Sequence, residues 1–149
     1  VLAVDPASIP AADFRQTIFD LKDTMLSATM HVDFPVTQYF APGMYAREIF
    51  LPAGSVVVGK IHKHAHLNLI SKGRGVCVTE QGRVRFEAPH MFISQPGTMR
   101  AVHSETDVIW TTFHATDVVG TPDEMRDLLT VERFEDLPNM GHNRRSDAA

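Results

Sequence analysis

The chain has 149 residues, with 14 Lys+Arg against 18 Asp+Glu and a formal net charge of −4. A chain of this length reads as one domain that buries roughly 70% of its unfolded surface. Its 44% hydrophobic and 21% charged residues exclude a disordered protein. Mild acidity argues against a nucleic-acid partner, which needs a basic face, and no apolar run approaches the roughly 18 residues of a membrane span.

A single cysteine, Cys77, excludes an internal disulfide framework and a cysteine-based zinc cage. It fits a reducing compartment. Val1-Leu2-Ala3-Val4-Asp5 lacks the basic-then-apolar layout of a secretory leader, so a cytoplasmic location is expected.

Residues 1–43 read as an N-terminal helical and extended arm. Pro6 and Pro10 hold the first residues extended or turned. The spacing of Phe14, Ile18, Leu21 and Met25 predicts an amphipathic helix of about three turns. Phe34-Pro35 and Ala41-Pro42-Gly43 mark loop and turn. Residues 44–117 change character. Short β-rich runs are predicted at Met44–Phe50, Ser55–Ile61, His66–Ser71, Gly75–Thr79, Val84–Glu87, His90–Ser94, Met99–Val102 and Val108–His114. Gly- and Pro-containing segments such as Leu51-Pro52-Ala53-Gly54, Lys72-Gly73-Arg74-Gly75 and Gln95-Pro96-Gly97 separate them. Closely spaced strands with no helix between them predict an antiparallel sandwich or barrel. Residues 118–149 then form a C-terminal helix and tail within the same domain. Thr121 is the predicted N-cap, Pro122 the first helical residue and Glu124 the partner closing a capping box. Met125, Leu128 and Leu129 give the helix an apolar stripe, and the tail from Asn139 is polar.

The chemistry concentrates in Gly59-Lys60-Ile61-His62-Lys63-His64-Ala65-His66. On a strand, residues two apart share a face, so His62, His64 and His66 would form a row with steps of roughly 6.6 Å. Neighbouring imidazoles can share an ion at metal–nitrogen distances of about 2.0–2.1 Å. All three could do so only across a bend or bulge, so two from this row and a ligand from another strand are expected. Residues 55–79 contain no Asp or Glu, which disfavours a carboxylate-built calcium or magnesium site. Imidazole ligation suits a divalent transition metal, here zinc, iron or nickel.

Over roughly Met44 to His114 the chain resembles a cupin. The first cupin motif runs from a glycine through His-x-His and a glutamate to a glycine closing the next strand. Gly59 precedes His62-x-His64, and Ser71-Lys72-Gly73-Arg74-Gly75 resembles the closing turn. The second motif is similar to Gln95-Pro96-Gly97-Thr98-Met99-Arg100-Ala101-Val102-His103, and Gly82–Pro89 resembles the hairpin between the two motifs. Counting back from Gly73, His66 occupies the family's glutamate position, and an alternative register takes Lys60-x-His62 as the His-x-His, leaving His64 in the connecting bend. By strict spacing Arg100 stands where the second-motif histidine belongs, with His103 three residues later. More loosely, the chain resembles small uncharacterised cupin-like proteins of bacteria and their phages.

The resemblance implies a single-domain jelly-roll barrel with a ligand cavity at one mouth, commonly paired as a homodimer. The expected metal set is His62, His64 and His66, with His103 as fourth ligand. Trp110, Thr112 and His114 share a face of the last strand, which makes His114 a candidate catalytic base. Arg100 could hold a substrate carboxylate or phosphate through its fork, with Lys60 and Trp110 as further substrate-binding candidates. Cys77, inside a β run, reads as a small core residue. The functional expectation is a metal-dependent enzyme on a small molecule: a dioxygenase, isomerase, lyase or hydrolase. The alternatives are a non-catalytic binder or sensor of a small anion anchored by Arg100, and a structural or assembly scaffold.

Overall fold

The computed structural model describes residue 16 and residues 34–138. Apart from Gln16, the predicted helix over Phe14–Met25 lies outside the described residues, as do His31, His142 and the tail from Asn139.

The described residues form eleven strands: β1 (Val36–Ala41), β2 (Met44–Leu51), β3 (Val56–Val58), β4 (Ile61–His62), β5 (His66–Lys72), β6 (Arg74–Thr79), β7 (Gly82–Glu87), β8 (His90–Ser94), β9 (Ala101–Ser104), β10 (Val108–His114) and β11 (Thr130–Val131). One helix, α1 (Pro122–Leu129), lies between β10 and β11. The larger sheet has the order β1-β2-β10-β5-β8, and a four-stranded sheet has the order β3-β9-β6-β7. β4 pairs with β11 in a separate two-stranded sheet. All pairings are antiparallel. Leaving β1 aside, the two main sheets share eight strands in the interleaved order β2-β10-β5-β8 over β3-β9-β6-β7, which is a jelly roll.

Two differences from the predicted elements have local causes. The predicted strand over Ser55–Ile61 divides into β3 and β4 because the chain changes partner: the Gly59 N–H still donates to the Arg100 carbonyl at 2.9 Å, in register with β9, and Ile61–His62 then pair with β11. The stretch Val36–Ala41 was read as part of a loop-bounded arm, yet it forms β1 and pairs along its whole length with β2. Its β-branched and aromatic residues suit a strand. The flanking Pro35 and Pro42 bound it, and Gly43 (φ 73°) closes the hairpin. Gly73, at φ 89° between β5 and β6, fills the turn role read for it in the sequence.

Between the sheets lies an apolar core of Leu51, Ile70, Phe86, Val102, Val108 and Trp110. The Trp110 ring meets Phe86 and Phe92 edge to face at 5.5 and 5.6 Å. A second cluster joins the barrel to the helix: Tyr45 of β2 packs with Met125 and Leu129 of α1. The helix begins as the sequence indicates. Thr121 Oγ1 accepts the Glu124 N–H at 3.2 Å, and Glu124 Oε2 accepts the Thr121 N–H at 2.9 Å. Thr121→Ala should remove this cap and lower stability by about 1 kcal/mol. Urea denaturation followed by circular dichroism checks the value, and an unchanged midpoint would mean that the cap contributes nothing to holding α1.

Candidate functional site

Strand alternation fixes what faces the barrel interior. From β2 come Tyr45, Arg47, Ile49 and Leu51; from β10, Trp110, Thr112 and His114; from β5, His66, Asn68 and Ile70. Register stacks them in layers. Trp110 lies level with Ile49 and Ile70, Thr112 with Arg47 and Asn68, and His114 with Tyr45. The barrel therefore grades from an apolar floor to a polar mouth.

At the mouth, His62, His66 and His114 come together. Ring centroids are 4.2 Å apart for His62–His66, 4.7 Å for His66–His114 and 5.5 Å for His62–His114. His62 and His66 stand on different strands, β4 and β5, because residues 63–65 bend between them. The end of α1 holds that bend. The Lys63 N–H donates to the Leu129 carbonyl at 2.9 Å, and Lys63 Nζ donates to the Leu128 carbonyl at 2.9 Å, satisfying carbonyls that a helix C-terminus leaves open. On the other side, the Gly97 N–H donates to the His62 carbonyl at 2.9 Å. His114 lies against Tyr45, with ring centroids 6.0 Å apart.

The donor chemistry matches a histidine-ligated ion. His66 Nδ1 lies 3.3 Å from the His64 carbonyl, an acceptor only, so Nδ1 carries the proton. That leaves Nε2 with a free lone pair, buried and without a hydrogen-bond partner. His114 Nε2 lies 3.1 Å from Thr112 Oγ1. Imidazoles that share one ion at about 2.0–2.1 Å have ring centres about 5 Å apart, the separation seen here. The ring planes are turned face to face, at 12° to 37°. In that packing no set of three potential ligands among the described residues converges on one point.

The environment keeps these rings neutral, as ligation requires. Burial pushes His62 down to about 2, helped by the charges of His66, His114, Arg100 and Arg47. Burial likewise takes His114 down to about 4, with His66, Arg47 and His64 adding to the effect. His66 is lowered by burial and Arg100, against the opposing bond to the His64 carbonyl.

Below the histidines is a cavity of about 110 Å³, lined by His62, His66, Arg47, Asn68, Arg100 and Thr112 over a floor that includes Trp110, Leu51 and Val102. Arg100 crosses it, with its guanidinium 5.4 Å from the Phe92 ring centre and 5.6 Å from that of Trp110. It donates to Asn68 Oδ1 at 3.3 Å and to Ser94 Oγ. Asn68, fully buried, also accepts Trp110 Nε1–H at 3.0 Å and donates to Ser94 Oγ at 2.8 Å. A larger cavity of about 240 Å³ lies between the β6–β7 turn and Phe134–Leu137, and Glu80 is its one ionisable lining residue.

The sequence-predicted residues divide accordingly. His62, His66, Arg100, Lys60 and Trp110 line the cavity, and His114 joins the histidine group. His64 and His103 are placed elsewhere. His64 lies exposed in the bend, and His103 is the outward residue of β9 between the buried Val102 and Ser104. The expected straight row of His62, His64 and His66 is thus replaced by the register with His64 in the connecting bend. Lys60 Nζ pairs with Glu132. Cys77 packs against the core, its thiol pushed up by burial. Arg47, Asn68, Ser94 and Thr112 were not singled out from the sequence. Parity with Leu51 on β2 was the available signal for Arg47, because it puts a charged residue on the face of a strand that turns inward.

No family model and no curated protein matches this chain. Solved structures do. A cupin superfamily protein from Desulfitobacterium hafniense is 11% identical, with a TM-score of 0.49 over 62% of this chain and 85% of the other. A salicylate 1,2-dioxygenase from Pseudaminobacter salicylatoxidans is 17% identical, with a TM-score of 0.48 over 66% of this chain and 30% of the other. A Cupin 2 conserved barrel domain protein from Salinispora arenicola is 13% identical, with a TM-score of 0.46 over 58% and 89% of the two chains. The fold is a jelly roll. The strand order of the two sheets carries that statement, and the site stands on this chain's own side chains.

The lowered histidines make stability depend on pH. An unfolded histidine takes up its proton near pH 6.5, whereas folded His114 and His62 do so only near 4 and 2. The unfolded state therefore binds more protons below pH 6.5, and the metal-free protein should lose stability as pH falls from 7 through 6.5 towards 4. Urea midpoints at pH 8, 7, 6 and 5 should fall only at the acid end, and less steeply in His114→Gln. A midpoint that stays level to pH 5 would contradict the burial of neutral rings.

Proposed function

We propose that the barrel mouth is a divalent transition-metal centre held by His62, His66 and His114, and that the protein is a metal-dependent enzyme acting on a small molecule in the cavity beneath. The observation carrying this reading is the group of three neutral imidazoles, with the buried Nε2 of His66 left without a partner. A buried acceptor of that kind costs about 1–3 kcal/mol unless something satisfies it, and a zinc, iron or nickel ion suits imidazole nitrogen. When bound, such an ion supplies Lewis acidity and open positions for water or a substrate oxygen.

This chain's own residues supply the rest. The His64 carbonyl fixes the His66 tautomer and so directs Nε2 inward. Tyr45 and Thr112 hold the His114 ring from two sides. The Trp110–Asn68–Ser94–Arg100 network, with its hydrogen bonds made internally, sets the cavity wall rigidly beneath the histidines. Leu51, Val57, Val102 and Trp110 form an apolar end that limits water around a bound molecule. Dioxygenase, isomerase, lyase and hydrolase chemistry all fit a small substrate placed between such a centre and such a wall.

Elemental analysis of untagged protein, as purified and after loading with zinc, iron or nickel, tests the assignment. Near-stoichiometric metal is expected in the wild type, in His64→Ala and in His103→Ala. A loss of most of it is expected in His62→Ala/His66→Ala and in His114→Ala. Metal retained by the double variant, or lost from His64→Ala alone, would overturn the ligand set.

A further inference from the structure

We propose that the molecule taken by the cavity is a small organic carboxylate, gripped by Arg100 and Arg47 with its apolar part towards Trp110. As the substrate class of the histidine site, this rests on the reading given above.

The charge balance of the cavity points there first. Arg47 and Arg100 both line it, and among its lining residues there is no Asp or Glu. Neither arginine is ion-paired among the described residues: Lys60, Arg74, Arg85 and Arg126 make the ion pairs. Arg100 spends its bonds on two neutral acceptors, Asn68 Oδ1 and Ser94 Oγ, and buried Arg47 Nε has no acceptor. A guanidinium withdrawn from water without a carboxylate partner is costly, and buried charges in folded proteins are paired or hydrogen-bonded. Two of them facing one cavity create a place where an anion is favoured by several interactions at once.

Shape and polarity then choose among anions. Arg100 is held flat by Phe92 and Trp110, with Nη1 donating to Asn68 and Nη2 to Ser94, so its guanidinium is oriented before any ligand arrives, and the Nε–H and the second N–H of each terminal nitrogen are left as the fork a ligand meets. A planar carboxylate matches that fork. The walls around it are Ile49, Leu51, Val57, Val102 and Trp110, which would leave the outer oxygens of inorganic phosphate facing hydrocarbon but would bury an alkyl group. At about 110 Å³ the cavity is smaller than the roughly 150 Å³ that takes benzene, so the ligand has a short carbon skeleton.

Trp110 is the chain's one tryptophan, so its emission reports the cavity directly. The 149-residue chain, dialysed against chelator, would be titrated with isobutyrate, with isobutyramide as the neutral isostere and with inorganic phosphate. A saturable change with isobutyrate is expected, with isobutyramide and phosphate weaker by at least about tenfold, the factor that charge-assisted hydrogen bonds supply. Arg100→Gln should weaken isobutyrate by a similar factor and Arg47→Gln by less. Zinc uptake, measured on the same samples, should be unchanged in both. Equal responses to isobutyrate and isobutyramide in the wild type would overturn the proposal without recourse to any variant. So would phosphate binding as tightly as isobutyrate, or isobutyrate binding unaltered in a folded Arg100→Gln protein. Zinc bound with no isobutyrate response would overturn the carboxylate while leaving the metal centre. Isobutyrate bound without zinc uptake would support the carboxylate and reject the metal centre.

Discussion

The site depends on a bend. Between β4 and β5 the chain turns over residues 63–65 instead of running straight, and this turn brings His62 and His66 to ring contact at 4.2 Å. On a straight strand, residues four apart stand roughly 13 Å from each other. The bend is held by the helix that follows the barrel: the open carbonyls of Leu128 and Leu129 accept from Lys63, and Met125 and Leu129 anchor the helix on Tyr45. Tyr45 in turn backs His114. A capping box far along the chain therefore positions all three rings, the first two through Lys63 and the third through Tyr45. This gives the short C-terminal helix a role beyond covering the end of the barrel.

Electrostatics gives the cavity its direction. Two arginines and two imidazoles line it, with the His114 ring stacked behind them, and none of its lining residues is acidic. Burial and the neighbouring guanidinium groups act together on the histidines, keeping their lone pairs available. A site built this way has basic nitrogen at the mouth and fixed positive charge below it. The arginines, which add a little to what burial does to the rings, would attract an anion to within reach of them. The Trp110–Asn68–Ser94–Arg100 network makes this arrangement rigid, because each polar atom of the buried Asn68 amide is occupied.

Much of the barrel was legible in the sequence because strand and turn chemistry is local. The Thr121-Pro122-Asp123-Glu124 start of α1 and the glycine turns at Gly43 and Gly73 appear where their residue types demand. β1 was hidden by its flanking prolines, which were read as loop signals although they bound a strand. In the site, parity on β10 was sufficient to turn Trp110 and His114 inward together. Parity failed for His64, because strand alternation holds only while the strand continues, and what ends it is a contact with Leu128 and Leu129, more than sixty residues away. His103 was read from motif spacing, whereas its neighbours Val102 and Ser104 take the inward positions of β9. Arg47 was overlooked for a different reason: its importance arises only when β2, β5 and β10 lie side by side and put it level with Thr112 and Asn68.

The measurement that bears most directly on the three-histidine centre is X-ray absorption at the zinc edge on the zinc-loaded protein. Fitting of the outer-shell imidazole scattering should count three histidine ligands at about 2.0 Å in the wild type and in His64→Ala, whereas His114→Ala should hold little zinc. Fewer than three imidazoles in the wild type, or an unchanged count when His114 is removed, would contradict a centre built from His62, His66 and His114.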